Sequence, residues 1–180
     1  MSEVLAGGAI ATMARTMLAL VFLQGCAVKL GDPARLAGTI ADYRLLPAGL
    51  ARPAAWLLLA AEAVTGALLL AACAAPAQLA PPAAAIAALL LATFVAAMAI
   101  NLGRGRRHIS CGCHARPTPL SWRQVWFSTG LLVAALPAAQ RSAPHDVLLS
   151  AQAVLGGLLG WAMLQTGATL LRPRLAGSVR

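Results

Sequence analysis

The chain has 180 residues, 60% of them hydrophobic and 11% charged, with a mean hydropathy of +0.78. An ordinary soluble domain is about 45–50% apolar and about 25% charged, so this composition argues against a water-facing globule and for one solvated by membrane lipid. The net charge of +9, from 14 Lys and Arg against 5 acids, is carried in short gaps between apolar runs rather than on a polar domain. That pattern argues against nucleic acid as a partner and matches the charge bias that orients membrane proteins. Four cysteines are too few for a secreted disulfide scaffold.

About 20 apolar residues are needed to cross some 30 Å of hydrocarbon, and five segments meet or approach that length. The first, at about 5–28, lacks the basic start of a signal peptide and reads as a retained helix. It stops where Lys29, Gly31, Asp32 and Pro33 bring charge and a turn. The second, at about 53–73, opens on Pro53, a favoured first helical position. Pro76, Pro81 and Pro82 mark an uncharged connection short enough to make the second span and the third, at about 83–102, antiparallel neighbours. A fourth, at about 120–139, carries Pro137 near its end, and a fifth, at about 147–171, lies between Pro144 and Pro173. The expected fold is a single all-α membrane domain, a polytopic helical bundle of five transmembrane helices, or four if the last two do not both cross.

Charge separates the two readings. With five spans, twelve Lys and Arg fall on one side of the membrane and Arg141 alone on the other, Arg15 lying inside the first span. Without both late crossings the tally is nine against four. The five-span arrangement therefore predicts a multi-pass membrane protein with its N-terminus outside and its C-terminus cytoplasmic. Trp56, Trp122 and Trp126 fall near span ends, where an interfacial aromatic belt sits.

The loop at 103–119 holds the residues with the most chemistry. In it, Arg104, Arg106, Arg107 and His108 precede Cys111, Gly112, Cys113 and His114. Two thiols around one glycine can close a small, strained ring, and strained exposed disulfides are the exchanging kind. Guanidinium groups at Arg104, Arg106, Arg107 and Arg116 would favour thiolate over thiol. Two other readings stand beside this one. The arginines can be topology anchors and the cysteines incidental, or His108, Cys111, Cys113 and His114 can bind a metal, although structural zinc sites usually space their cysteines two to four residues apart. Cys26 falls on the same face as the loop, either as a resolving thiol or, more simply, as a small apolar side chain. Cys73 falls on the opposite face and receives no role.

Ionisable groups inside spans tend to be paired or to line a cavity. Counting from the outer face places Arg15 and Glu62 at similar depth, so they are expected to pair, either holding two helices together or lining a site for a quinone, a proton or a substrate. Gln24, Asn101, Gln152 and Gln165 are expected to bond between helices, and Gly156 with Gly160 forms a small-residue contact face on the last span. No phosphate-cradling glycine loop, Ser/His/Asp arrangement or His-Glu-x-x-His helix is present.

Residues 22–32, Phe-Leu-Gln-Gly-Cys-Ala-Val-Lys-Leu-Gly-Asp, then Asp42-Tyr43-Arg44-Leu45-Leu46-Pro47, Glu62, and Asn101-Leu102 leading to Cys111-Gly-Cys113 resemble the methylamine utilization protein MauE family, itself similar to DoxX-like membrane proteins. The likeness covers most of the chain, and the Tyr-Arg-Leu-Leu-Pro and Cys-Gly-Cys segments are its most specific parts. It implies an inner-membrane protein needed to produce the small (beta) subunit of periplasmic methylamine dehydrogenase, a disulfide-rich subunit. Help in processing, transport or disulfide formation would come alongside the thioredoxin-like MauD, with Cys111 and Cys113 as the redox pair and no independent turnover. Two other classes remain. One is a quinone-linked oxidoreductase subunit of the DoxX-like kind, and the other is a transporter or scaffold with no redox role.

Overall fold

The computed structural model of the chain describes residues 2–74, 77–110, 119–141, 152 and 154–163. Every regular element among them is helical, and the lone β-bridge joins Ser110 to Pro119. In lipid no water is available to satisfy exposed backbone groups, and a helix satisfies its own.

The long elements are α1 (Ser2–Leu30), α3 (Ala51–Ala74), α4 (Ala80–Gly103) and α5 (Trp122–Ala138). The apolar stretches Gly7–Leu30, Ala51–Cys73 and Ala80–Gly103 are long and apolar enough to cross a membrane. The 17 residues of α5 span about 25 Å at 1.5 Å per residue. Its Val125 packs with Met98 and Leu102 at one end of α4, and its Ala138 with Ala80, Ala83 and Ala84 at the other. Thus α5 runs antiparallel along most of the length of α4.

Four helices of alternating direction form an up-and-down bundle in which α1 packs on α3 and α5, and α4 packs on the same two. The shared core is built of Leu18, Phe22, Leu69 and Leu91 among alanines, and such small residues let helices approach closely where lipid removes the hydrophobic driving force. Gly66 shows how close, because a Cβ there would lie 2.6 Å from Leu23 Cγ and 3.3 Å from the Ala19 carbonyl oxygen. Leu57, Leu89, Trp126 and Leu136 are exposed, as lipid-facing side chains should be.

The helix α4 begins three residues earlier than expected, with Pro81 and Pro82 inside its first turn. Those positions need no backbone donor, so both prolines are accommodated. The more substantial departure is α2 (Pro33–Tyr43), a helix in what reads as a charged loop. Asp32 caps it, its Oδ1 accepting the Arg35 N–H at 2.9 Å. Its Leu36 packs with Ala55 and Leu59 of α3, and the chain leaves it through Arg44 in a left-handed conformation, φ 48°.

The last described element, α6 (Val154–Met163), is ten residues long. Gly156 and Gly160 face Met13 and Met17 of α1, and Gly157 abuts Thr16 and the Met13 carbonyl. The small-residue face expected on the last span is therefore a contact within this chain. Trp161 Nε1 donates to Gln24 Oε1 at 3.1 Å, so Gln24 does bond between helices and α6 runs parallel to α1.

Candidate functional site

One end of the bundle gathers the end of α1, all of α2, the start of α3, the end of α4 and the start of α5. Most of the basic residues expected on one face are here. Arg35, Arg44, Arg52, Arg104, Arg107 and Arg123 are all exposed, and Trp56, Trp122 and Trp126 stand exposed beside them.

Inside this end, Lys29 and Glu62 form an ion pair joining α1 to α3. Glu62 is 2% exposed. The Lys29 ammonium also lies over the Phe94 ring of α4, 5.4 Å from its centroid, an attraction between cation and π face that strengthens away from water. One carboxylate oxygen, Glu62 Oε2, has no hydrogen-bond partner among the described residues. One turn away, Cys26 Sγ donates to the Leu59 carbonyl at 3.5 Å, a half-buried thiol packed with Leu36, Ala55 and Leu59.

The expected Arg15–Glu62 pair does not form. Thr16 meets Cys73, and Cys26 meets Leu59, a register that sets Arg15 level with Ala72 and Glu62 level with Gly25. Those levels are ten residues apart on α3, about 15 Å. The N-terminal turns of α1 extend beyond the end of α3, so equal residue counts from the two helix ends do not correspond to equal depth. Arg15, 1% exposed, instead donates from Nε to the Ala138 carbonyl at 2.9 Å, from Nη1 to the Ala72 carbonyl at 3.3 Å and from Nη2 to the Gln140 carbonyl. These carbonyls belong to the C-terminal ends of α3 and α5, where helices leave acceptors unsatisfied. A planar guanidinium with five donors can serve several at once. Arg15 is thus a structural clamp at the far end. Beside it Cys73 Sγ donates to the Leu69 carbonyl at 3.3 Å and lies 3.7 Å from Thr16 Oγ1. Cys26 and Cys73 are free thiols at opposite ends of the α1–α3 contact.

Cys111, Gly112, Cys113, His114 and Arg116 lie outside the described residues, and with them the expected thiol pair and the alternative metal set. Their flanks are described. Ser110 and Pro119 are bridged, and the Leu120 N–H is shared between the Arg107 and Ile109 carbonyls, 3.0 Å from each. Ile109 and Leu120 are buried in one cluster with Tyr43, Met98, Leu102 and Val125. Arg106 Nη1 donates to the Asp42 carbonyl at 3.3 Å. On the far flank, Gln124 Oε1 accepts the Ser121 N–H at 2.6 Å and its Nε2 donates to the Pro119 carbonyl at 3.3 Å, fixing the start of α5.

Asn101, fully buried at the end of α4, donates from Nδ2 to the Ala97 carbonyl of its own helix at 3.1 Å rather than to a neighbouring helix. Its Oδ1 has no hydrogen-bond partner among the described residues. Sequence reading missed Lys29 as the partner of Glu62, Phe94 as the ring beneath Lys29, and Tyr43 as the anchor of the loop flanks. The signal for Tyr43 was present, since Leu36, Ile40 and Tyr43 recur at helical spacing after an Asp-Pro start.

The model of the family described as methylamine utilisation protein MauE matches residues 7–140. A methylamine utilization protein MauE of Methylorubrum extorquens is 35% identical over 182 aligned positions, covering 97% of this chain and 93% of the relative. One from Paracoccus denitrificans is 33% identical over 78% of this chain and 80% of the relative. A third, from Methylophilus methylotrophus, is 37% identical over 62% of this chain and 56% of the relative. No solved structure gives a significant match. The matched residues hold the buried pair, the Arg15 clamp with its Gln140 acceptor, α2 and both flanks of the loop, and the chain belongs to the methylamine utilisation protein MauE family.

Proposed function

We propose that this protein is an inner-membrane accessory to methylamine use, maturing the small subunit of methylamine dehydrogenase by thiol-disulfide exchange at Cys111 and Cys113. The observation that carries the reading is the pinning of both flanks of the cysteine loop to a basic, tryptophan-rimmed end of an apolar helical bundle. Exposed arginines on those flanks favour thiolate over thiol.

In one exchange, a partner dithiol attacks the Cys111–Cys113 disulfide and two electrons and two protons pass to it. The partner leaves as a disulfide and the pair as two thiols. The charge tally places this end on the cytoplasmic face, with the N-terminus outside. The direction of α6, parallel to α1, supports a fifth crossing that returns the chain to the same face. A client folding on the periplasmic side is then reached through a partner, for which the thioredoxin-like MauD is the proposed component.

Replacing both Cys111 and Cys113 by serine is expected to reduce accumulation of the small subunit at least tenfold while this protein stays in the membrane at its normal level. Immunoblotting of the subunit and of the membrane fraction reads both quantities. Unchanged subunit levels in the double variant would remove the thiol mechanism.

A further inference from the structure

The residue that ends α2 is an arginine where a glycine would be easier. Arg44 has φ 48°, a left-handed conformation that residues with a side chain rarely adopt. Its N–H bonds to the Ala41 carbonyl and its side chain is exposed. Glycine would close the same turn without strain, so the guanidinium and not the backbone is what this position supplies.

Arg44 is one of four exposed arginines set around a single buried cluster. It follows Tyr43 directly, Arg104 lies two residues after Leu102, Arg107 two before Ile109 and Arg123 two before Val125, and those four apolar side chains pack together. The bond from Arg106 Nη1 to the Asp42 carbonyl holds the end of α4 beside the end of α2. None of the four arginines is paired with a carboxylate among the described residues. Like charges gathered in this way repel one another, and a bound anion relieves the repulsion. Trp122 and Trp126, 48% and 70% exposed, stand beside Arg123 and Val125, and exposed indoles at a span end sit at the level of lipid headgroups. A phosphate at that level can accept two parallel bonds from one planar guanidinium.

We propose that Arg44, Arg104, Arg107 and Arg123 form a binding site for the headgroup phosphate of an anionic phospholipid, with its acyl chains in the bilayer beside Trp122 and Trp126. The site does not depend on the thiol role argued above. Charge alone draws anionic lipid diffusely towards every arginine on this face, whereas packing around Tyr43 makes one site of these four.

The test reconstitutes the full chain, carrying Trp56→Phe and Trp161→Phe so that Trp122 and Trp126 report, into phosphatidylcholine vesicles. Fluorescence quenching by brominated phosphatidylglycerol is compared with quenching by brominated phosphatidylcholine. The parent is expected to bind the anionic lipid about fivefold more tightly or better. Arg44→Gly with Arg107→Gln is expected to bring the ratio below twofold, and so is Arg104→Gln with Arg123→Gln, which leaves the α2 turn untouched. Arg35→Gln with Arg52→Gln removes the same charge from the same face, beside Leu36 and Ala55, and is expected to keep most of the preference. An equal fall in that control would overturn the site in favour of diffuse attraction. A parent ratio below twofold, or a ratio unchanged in both site variants, would overturn it outright. Loss of quenching on adding millimolar inorganic phosphate, but not chloride of equal ionic strength, would assign the arginines to a soluble anion and overturn the lipid.

Discussion

Lys29→Met is expected to destabilise the detergent-solubilised protein by about 3–5 kcal/mol, because it leaves the Glu62 carboxylate, 2% exposed, without its counter-charge. Glu62→Leu is expected to cost less. Lys29 sits in the last turn of α1, 10% exposed, and its long stem can carry an unpaired ammonium outward to the interface. The double change Lys29→Met with Glu62→Leu is expected to recover most of the parent stability, since a well-packed apolar pair commonly matches or exceeds a buried ion pair. Unfolding midpoints for the four members of this cycle measure the coupling directly. Equal losses in the two single variants would show that position in the helix does not govern the cost. A double variant as weak as Lys29→Met would show that the pair contributes more than mutual neutralisation.

Arg15→Met is expected to be the second large effect, at least about 3 kcal/mol, because the buried Ala72 and Ala138 carbonyls and the Gln140 carbonyl all lose the donor that Arg15 supplies. Arg15→Lys keeps the charge but has no planar fork, so it should recover only part of that loss. The loss should concentrate where α3 and α5 end. Amide hydrogen exchange in the last turns of α3 and α5 would report it as faster exchange there than in the rest of the two helices. A full recovery by lysine would mean that charge, and not the multiple carbonyl contacts, is what the position needs.

The first three spans were legible in the sequence because each is a long apolar run bounded by proline or charge, and they agree with the helices to within about three residues. The Gly156–Gly160 face was equally legible, since small residues four apart in an apolar helix have few uses other than close packing. The partners of the buried charges were not. Depth along a single helix follows from counting residues, but which levels of two helices meet depends on how far each projects past the other, and α1 projects well beyond α3. That offset alone sends Glu62 to Lys29 and Arg15 to the helix-end carbonyls. The helix α2 escaped notice for a different reason. Its eleven residues lie in a segment whose arginines invite a charge tally, although its Asp-Pro start and three apolar positions carry the helical period.

Most of what brings the loop flanks together is likewise invisible along the chain. Tyr43 and Ile109 are distant in sequence, and only the return of α4 to the end where α2 lies makes them neighbours. The segment around Tyr43 and the described flanks of the cysteine loop thus converge on one end of the molecule.

The most direct measurement is labelling by a membrane-impermeant thiol reagent of the chain carrying Cys26→Ser and Cys73→Ser, in intact spheroplasts and in inverted vesicles. The account predicts rapid modification of Cys111 and Cys113 in inverted vesicles and none in spheroplasts, blocked once the pair has been oxidised. Thiols that stay unmodified in both preparations under reducing conditions, or that react in spheroplasts, would contradict it.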